Sequence, residues 1–196
     1  MFGLFLGVVV AGLFWYQSGR PRPAKPAPVA EVTRDELIAR DGRLYRTNEA
    51  TPFKGTLIER YPGGMLKSSS LLSKGVLQGI SEGWYTNGQL QVQEHFNENV
   101  SDGLRTKWYE QGSLMSETMI VAGEHNGTFR RWYENGQLAE SIEMKHGQPD
   151  GVSLAYHPSG FLKARARLEN GIVLEQQSWN DGERKEPPSV AKTNSP

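Results

Sequence analysis

Residues 127–144 read Gly127-Thr128-Phe129-Arg130-Arg131-Trp132-Tyr133-Glu134-Asn135-Gly136-Gln137-Leu138-Ala139-Glu140-Ser141-Ile142-Glu143-Met144. Two short runs of strand-forming residues flank an Asn-Gly pair, and that pair between alternating runs is a strong local signal for a β-hairpin. A two-residue loop pairs Tyr133 with Leu138. A three-residue loop, with Gly136 in the left-handed conformation, pairs Trp132 with Leu138. The longer loop gathers Ile80, Trp84, Leu90, Val92 and Phe96 on one face of an equivalent hairpin. It also gathers Val152, Leu154, Tyr156, Leu162, Ala164, Ala166 and Leu168, and leaves Gln91, Gln93, His95, Lys163, Arg165 and Arg167 opposite. A slip of one residue mixes these sets, so the sequence favours the three-residue loop with its bulge.

The same unit recurs. Gly55, Gly79, Gly103, Gly127 and Gly151 lie 24 residues apart, as do Gly64, Gly88, Gly112, Gly136 and Gly160. Leu66, Leu90, Leu114, Leu138 and Leu162 keep the step, and Gly75, Gly123, Gly147 and Gly171 form a third glycine series with Asn99 in the missing place. Aromatic pairs recur in phase at Trp84-Tyr85, Trp108-Tyr109 and Trp132-Tyr133, with Arg60-Tyr61 and Tyr156-His157 at the two ends. Five hairpins therefore stack as an elongated, single-layer, antiparallel, all-β sheet over residues 55–179. Asp102-Gly103, Asn126-Gly127 and Asp150-Gly151 are expected to turn the chain into the next unit. An isolated hairpin is marginal in water, so stacking must supply the stability. Trp84, Trp108, Trp132, Leu90, Leu114 and Leu138 are the expected core stripe. Residues 33–54 read as a degenerate N-terminal cap with Arg43-Leu44-Tyr45 as a strand. Ile172 to Trp179 reads as the closing strand, and residues 180–196 as a polar, disordered tail.

The N-terminus has a different character. Phe2 to Tyr16 carries no charge and is almost wholly apolar, and Pro21 to Pro28 holds four prolines. Fifteen helical residues span ~22 Å against ~30 Å of bilayer hydrocarbon. Residues 1–19 read as one membrane-type helix, an uncleaved single-pass anchor in preference to a cleaved signal peptide, and residues 20–32 as a stiff proline-rich linker. Arg20, Arg22 and Lys25 on its C-terminal side lean the repeats toward the cytoplasm by the positive-inside rule. A secretory signal would place them in the periplasm or outside the cell.

The 196 residues carry 22 Lys+Arg and 22 Asp+Glu, without a cysteine. Zero net charge argues against a nucleic-acid partner held by phosphate contacts. The lack of cysteine excludes disulfides, thiolate metal sites and cysteine nucleophiles.

The unit Gly-x4-Trp-Tyr-x-Asn-Gly-Gln-Leu, seen in Trp84-Tyr85-Thr86-Asn87-Gly88-Gln89-Leu90 and in Trp132-Tyr133-Glu134-Asn135-Gly136-Gln137-Leu138, resembles the bacterial variant of the MORN repeat. The lead-in Arg40-Asp41-Gly42-Arg43-Leu44-Tyr45, then Thr51-Pro52-Phe53-Lys54-Gly55, is similar to that of the YwqK-family antitoxins of toxin–antitoxin systems. The resemblance covers Gly55 to about Gly171 and departs at Arg60 and at Tyr156-His157. It implies a hairpin-repeat fold and, for the antitoxins, neutralisation of a partner protein. Fold by itself does not fix function.

No catalytic constellation emerges from the sequence. His95, His125, His146 and His157 occupy four different phases of the repeat, and no phosphate loop or serine-hydrolase elbow is present. The expectation is a non-catalytic chain without cofactor or metal. Two features suit binding. Tyr61, Tyr85, Tyr109 and Tyr133 form a row opposite the tryptophans, suited to protein contact, though cross-strand packing at the sheet margin is the favoured account of them. Lys163, Arg165 and Arg167, with Arg130 and Arg131 one unit away, suit phosphate or lipid headgroups, or a solvated strand face. A protein partner of unknown identity leads, a toxin being one form of it. Lipid headgroups and a cell-envelope polymer are the alternatives.

If tryptophan is the inner residue, truncating it removes the larger burial. Trp108→Ala should lower stability in urea denaturation by ~3–5 kcal/mol, the cost of emptying a buried aromatic position, and Tyr109→Ala by clearly less. The opposite order would show that the turn is displaced by one residue.

Overall fold

The computed structural model describes residues 30–185. An N-terminal block holds β1 (Glu31–Val32), β2 (Leu37–Arg40) and β3 (Arg43–Arg46). Paired strands follow as β4 (Gly55–Arg60) and β5 (Leu66–Ser73), then β6 (Val76–Trp84) and β7 (Leu90–Asn97). The third unit comprises β8 (Val100–Ser101), β9 (Gly103–Trp108) and β10 (Leu114–Val121), and the fourth β11 (Glu124–His125), β12 (Gly127–Trp132) and β13 (Leu138–Lys145). The last unit is β14 (Gln148–Tyr156) and β15 (Leu162–Glu169), and β16 (Ile172–Ser178) closes the array.

One sheet runs β1-β4-β5-β6-β7-β9-β10-β12-β13-β14-β15-β16, with β8 beside β7 and β11 beside β10. The expected helix-plus-hairpins architecture needs correction. Residues 1–19 lie outside the described residues. Among those described, the helical element is a 3-10 turn at Arg34–Glu36, and no helix is long and apolar enough to cross a membrane. A single-pass anchor with the repeats assigned to one side of a membrane therefore has no support. The sheet is also not purely antiparallel. Before entering β4 the chain makes the separate β2–β3 hairpin, so β1 joins β4 in parallel, Glu31 beside Thr56. A parallel neighbour requires such a crossover connection.

The three-residue loop is present. Trp132 pairs with Leu138, and the same pairing recurs as Trp84–Leu90, Trp108–Leu114 and Tyr156–Leu162. Tyr133 N–H donates to Gln137 O at 2.8 Å, and Gly136 N–H to Tyr133 O at 2.9 Å, with Gly136 at φ +80°. This is a tight turn closed by a left-handed glycine.

The turn into the next unit differs from expectation. It lies at Lys74-Gly75, Glu98-Asn99, Ala122-Gly123, His146-Gly147 and Asn170-Gly171, where both residues have positive φ. Ser73 pairs with Val76, Val121 with Glu124, and Lys145 with Gln148 across these two-residue loops. Two positive φ angles in a row define the hairpin turn that matches strand twist, which accounts for the third glycine series and for Asn99 within it. Gly103 and Gly151 instead sit in strands, at φ +132° and +118°. There a side chain would bring its Cβ to 3.0 Å from the Cβ of His95 or of Glu143.

A second bulge follows each three-residue loop and changes the faces. Arg131 pairs with Glu140 while Trp132 pairs with Leu138, so Ala139 is the extra residue. Gln91 and Lys163 are extra in the same way. Beyond each bulge the alternation slips by one. Ile80 therefore pairs with His95 rather than sharing a face with Val92 and Phe96, which oppose Gly83 and Gly79. Val152 and Leu154 pair with Arg167 and Arg165, whereas Ala164, Ala166 and Leu168 oppose Ala155, Ser153 and Gly151. The expected separation into one apolar and one polar face is thus corrected: each face is mixed.

Burial is modest, as a single layer demands. Trp84, Trp108 and Trp132 are half-buried rather than enclosed, so truncating one removes less apolar contact than full burial would imply. Enclosure occurs at the two ends. Val32, Leu37, Phe53 and Leu72 form a cluster where the β2–β3 hairpin folds over β4 and β5. Leu154, Tyr156 and Leu162 form another, with Leu138, Val152 and Trp179 against it. Asn180 to Lys185 is part of this cap: Leu162 N–H donates to Arg184 O at 2.7 Å, and the Arg184 guanidinium lies 4.7 Å from the Trp179 ring centroid.

Ala122 holds φ +50°, which an L-residue other than asparagine or glycine adopts at a cost. Ala122→Asn should raise stability by about 0.5–1 kcal/mol. An unchanged or lower urea midpoint would contradict the turn assignment.

Candidate interaction surface

Two ladders of hydrogen bonds join successive units, one near each end of the strands. At the three-residue loops, Tyr61 Oη donates to Trp84 O at 2.7 Å, Tyr85 Oη to Trp108 O at 2.9 Å, Tyr109 Oη to Trp132 O at 2.8 Å, and Tyr133 Oη to Tyr156 O at 2.8 Å. In the last unit His157 takes this position, its Nε2 3.1 Å from Trp179 O. Asn87 and Asn135 add side-chain amide donors to Glu110 O and Pro158 O at 2.8 and 2.9 Å. At the opposite ends, Gly75, Asn99, Gly123, Gly147 and Gly171 donate N–H to Phe53, Leu77, Ser101, His125 and Pro149 carbonyls, at 2.8–3.0 Å. The tyrosine row is therefore half-buried and hydrogen-bonded between units.

The basic residues divide. Arg131 Nε donates to Glu140 Oε1 at 2.7 Å across the β12–β13 ladder, and that hydrogen bond raises its pKa. Arg130 stands on the other side of the same strand, opposite Ser141 and Glu117. Arg165 and Arg167 lie on the face that carries Leu154 and Val152 and form no ion pair among the described residues. With Val152, Glu175 and Gln177 they line an open groove of about 590 Å³. Lys163 is the bulge residue beside them and is exposed. The structure thus places Lys163, Arg165 and Arg167 together near the C-terminal cap. It leaves Arg130 in the preceding unit and Arg131 neutralised on the opposite face.

His125 is the one histidine with a shifted pKa among the described residues. Burial lowers it first, then the charges of Arg105 and Lys107. Its Nδ1 lies 3.0 Å from the hydroxyl of Thr118, itself buried. This polar pair sits under the β10–β11 turn and has a structural account. No group of three or more His, Cys, Asp or Glu side chains that could hold a metal occurs among the described residues.

Sequence reasoning missed a row of exposed apolar residues on the tryptophan face. Ile80 pairs with His95, Leu104 with Met119, and Leu71 with Thr56. Their 24-residue spacings, 80 to 104 and 71 to 119 by way of 95, were visible. The slip at the bulge hid that they share one face.

The sequence profile of the MORN repeat variant family matches residues 77–98 and 126–146. These MORN-variant stretches are the β6–β7 and β12–β13 hairpins, the two with an Asn-Gly turn and a Trp-Tyr pair. The other units keep the same strand pairing in the structure with altered residues, Arg60 in the first and Tyr156-His157 in the last. No curated protein matches the chain significantly.

The tyrosine ladder yields a measurable expectation. Tyr109→Phe keeps the ring and leaves the half-buried Trp132 carbonyl without its donor, which should lower stability by about 1 kcal/mol. Urea denaturation checks this; a variant as stable as the parent would show that the hydroxyl–carbonyl contact contributes nothing.

Proposed function

We propose that this chain is a non-catalytic interaction scaffold that binds a protein partner along its repeat sheet. The observation that supports this is the open sheet itself. From β6 to β13, between the two caps, each strand makes its main contacts with its ladder neighbours, so both faces present side chains over a long, regular surface. Repeats of the MORN variant type are generally protein- or membrane-binding motifs. Catalytic sites need convergent groups in a concave, water-excluding setting, whereas a flat row of repeated positions suits a partner of matching length. An antitoxin-like role, in which the scaffold masks the active surface of a toxic partner, is the specific form suggested by the resemblance of the lead-in residues.

A second reading rests on Arg165 and Arg167, whose guanidinium groups are exposed, unpaired among the described residues and side by side along a groove. Such a pair can hold phosphate groups of anionic lipids. The two readings separate in one experiment. The full chain is immobilised for affinity capture and, in parallel, mixed with vesicles carrying phosphatidylserine. The scaffold reading expects a defined protein to be retained by both the parent and an Arg165→Ala/Arg167→Ala variant, with no vesicle flotation that depends on those arginines. Recovery of no protein, together with flotation lost in the double variant, would replace it with the lipid reading.

A further inference from the structure

The tryptophan face is uneven along its length. In the first three units four of the six positions of the outer row on this face are apolar and exposed: Leu71 at 40%, Ile80 at 38%, Leu104 at 44% and Met119 at 44% relative accessibility, with Thr56 beside Leu71. His95 stands among them, paired with Ile80 and with its Nδ1 3.4 Å from Leu104 O. In the last two units the same row becomes Thr128–Glu143 and Val152–Arg167. The exposed stripe is therefore confined to β5–β10. Its area is on the order of 300 Å², the size of the largest apolar patch on a typical monomer, and such a patch is often functional.

Acidic groups border the stripe. Glu82 lies two residues from Ile80 on one strand, and Glu117 two residues from Met119 on another, both on the tryptophan face. Glu98, at a two-residue turn, and Asp102 and Glu124, close to these turns in sequence, lie toward that end of the strands and are exposed. Two basic residues stand nearby, Lys74 at the β5–β6 turn and Arg130 of β12 opposite Glu117, and they are outnumbered by these acids. Arg105 pairs with Glu94, and Lys107 opposes Val92 and Ser116, which places both on the opposite face.

We propose that this stripe is the docking site for an amphipathic α-helix of the partner protein, with an apolar seam flanked by lysine or arginine. The inference rests on the protein-partner reading above and specifies its chemistry. Three features select this occupant. The stripe crosses the strands, and strands pair only along sheet edges, so an added strand cannot use it. Successive hairpins repeat at about 10 Å, twice the strand spacing, and a helix advances about 10.5 Å per seven residues. A seam repeating every seven residues thus meets one hairpin per heptad, and three units accommodate a helix of about 15–18 residues. The patch is also too small for a globular interface, which buries about 800 Å² per partner. A helix seam fits it, and the acidic border favours basic flanks.

The test uses the full chain and two synthetic 18-residue helical peptides. Both carry leucine at the seam positions, one with lysine and the other with glutamate at the flanking positions. Binding is read by fluorescence anisotropy at low and at 0.5 M salt. The lysine peptide should bind at least ~10-fold more tightly than the glutamate peptide, with the difference shrinking at high salt. Leu104→Gln/Met119→Gln should weaken the lysine peptide at least ~10-fold, while Arg165→Ala/Arg167→Ala should not. Circular dichroism confirms that each variant keeps the sheet. Equal binding of both peptides, binding of neither, or full binding by the Leu104/Met119 variant overturns the helix site. Self-association of the chain that disappears in that variant overturns it too, by assigning the stripe to a second copy. Capture of a protein partner by the same variant at parental strength removes this site while leaving the scaffold reading intact.

Discussion

One hydrogen bond per unit, from a tyrosine hydroxyl to a main-chain carbonyl of the next unit, sets how the rest of the sheet is held. Strand pairing alone makes a twisted ribbon whose successive hairpins can flex against one another. The bonds of Tyr61, Tyr85, Tyr109 and Tyr133, answered at the other end of the strands by the turn N–H groups, tie each unit to the next at two widely separated points. This matters in a single layer, because there is little enclosed apolar volume to fix the geometry. The tryptophans lie half in water, and enclosed side chains concentrate at the two caps. Where tyrosine is replaced, the bond is kept: His157 reaches the Trp179 carbonyl, and the chain then folds back as the C-terminal cap.

The same regularity shapes what the surface can do. Residues in equivalent positions of successive units fall about 10 Å apart on one face, so a substitution pattern along the sequence becomes a linear pattern in space. The outer row of the tryptophan face turns from mostly apolar in the first three units to mostly polar and charged in the last two. A scaffold of this kind can offer different chemistry at its two ends without altering its backbone. Glycines at positive φ inside the strands keep the row close to its neighbour, as at Gly103 beside His95.

The sequence by itself determined the repeat, its period, the hairpin and the length of its main loop. These are local properties: an Asn-Gly turn and a one-residue choice of register leave their mark within ten residues, and five copies repeat it in phase. Tertiary structure decided the faces. The bulges at Gln91, Ala139 and Lys163 are made by pairing with a neighbouring strand, and no residue type announces them. One such bulge exchanges inside for outside along the rest of the strand. That is why Arg165 and Arg167 lie beside Leu154 and Val152, and why the exposed row of Leu71, Ile80, Leu104 and Met119 could not be seen from alternation alone. The tyrosine bonds were likewise hidden, since they join residues 23 apart through a carbonyl that every residue carries. Only the stacking of one hairpin on the next determines which carbonyl each hydroxyl reaches.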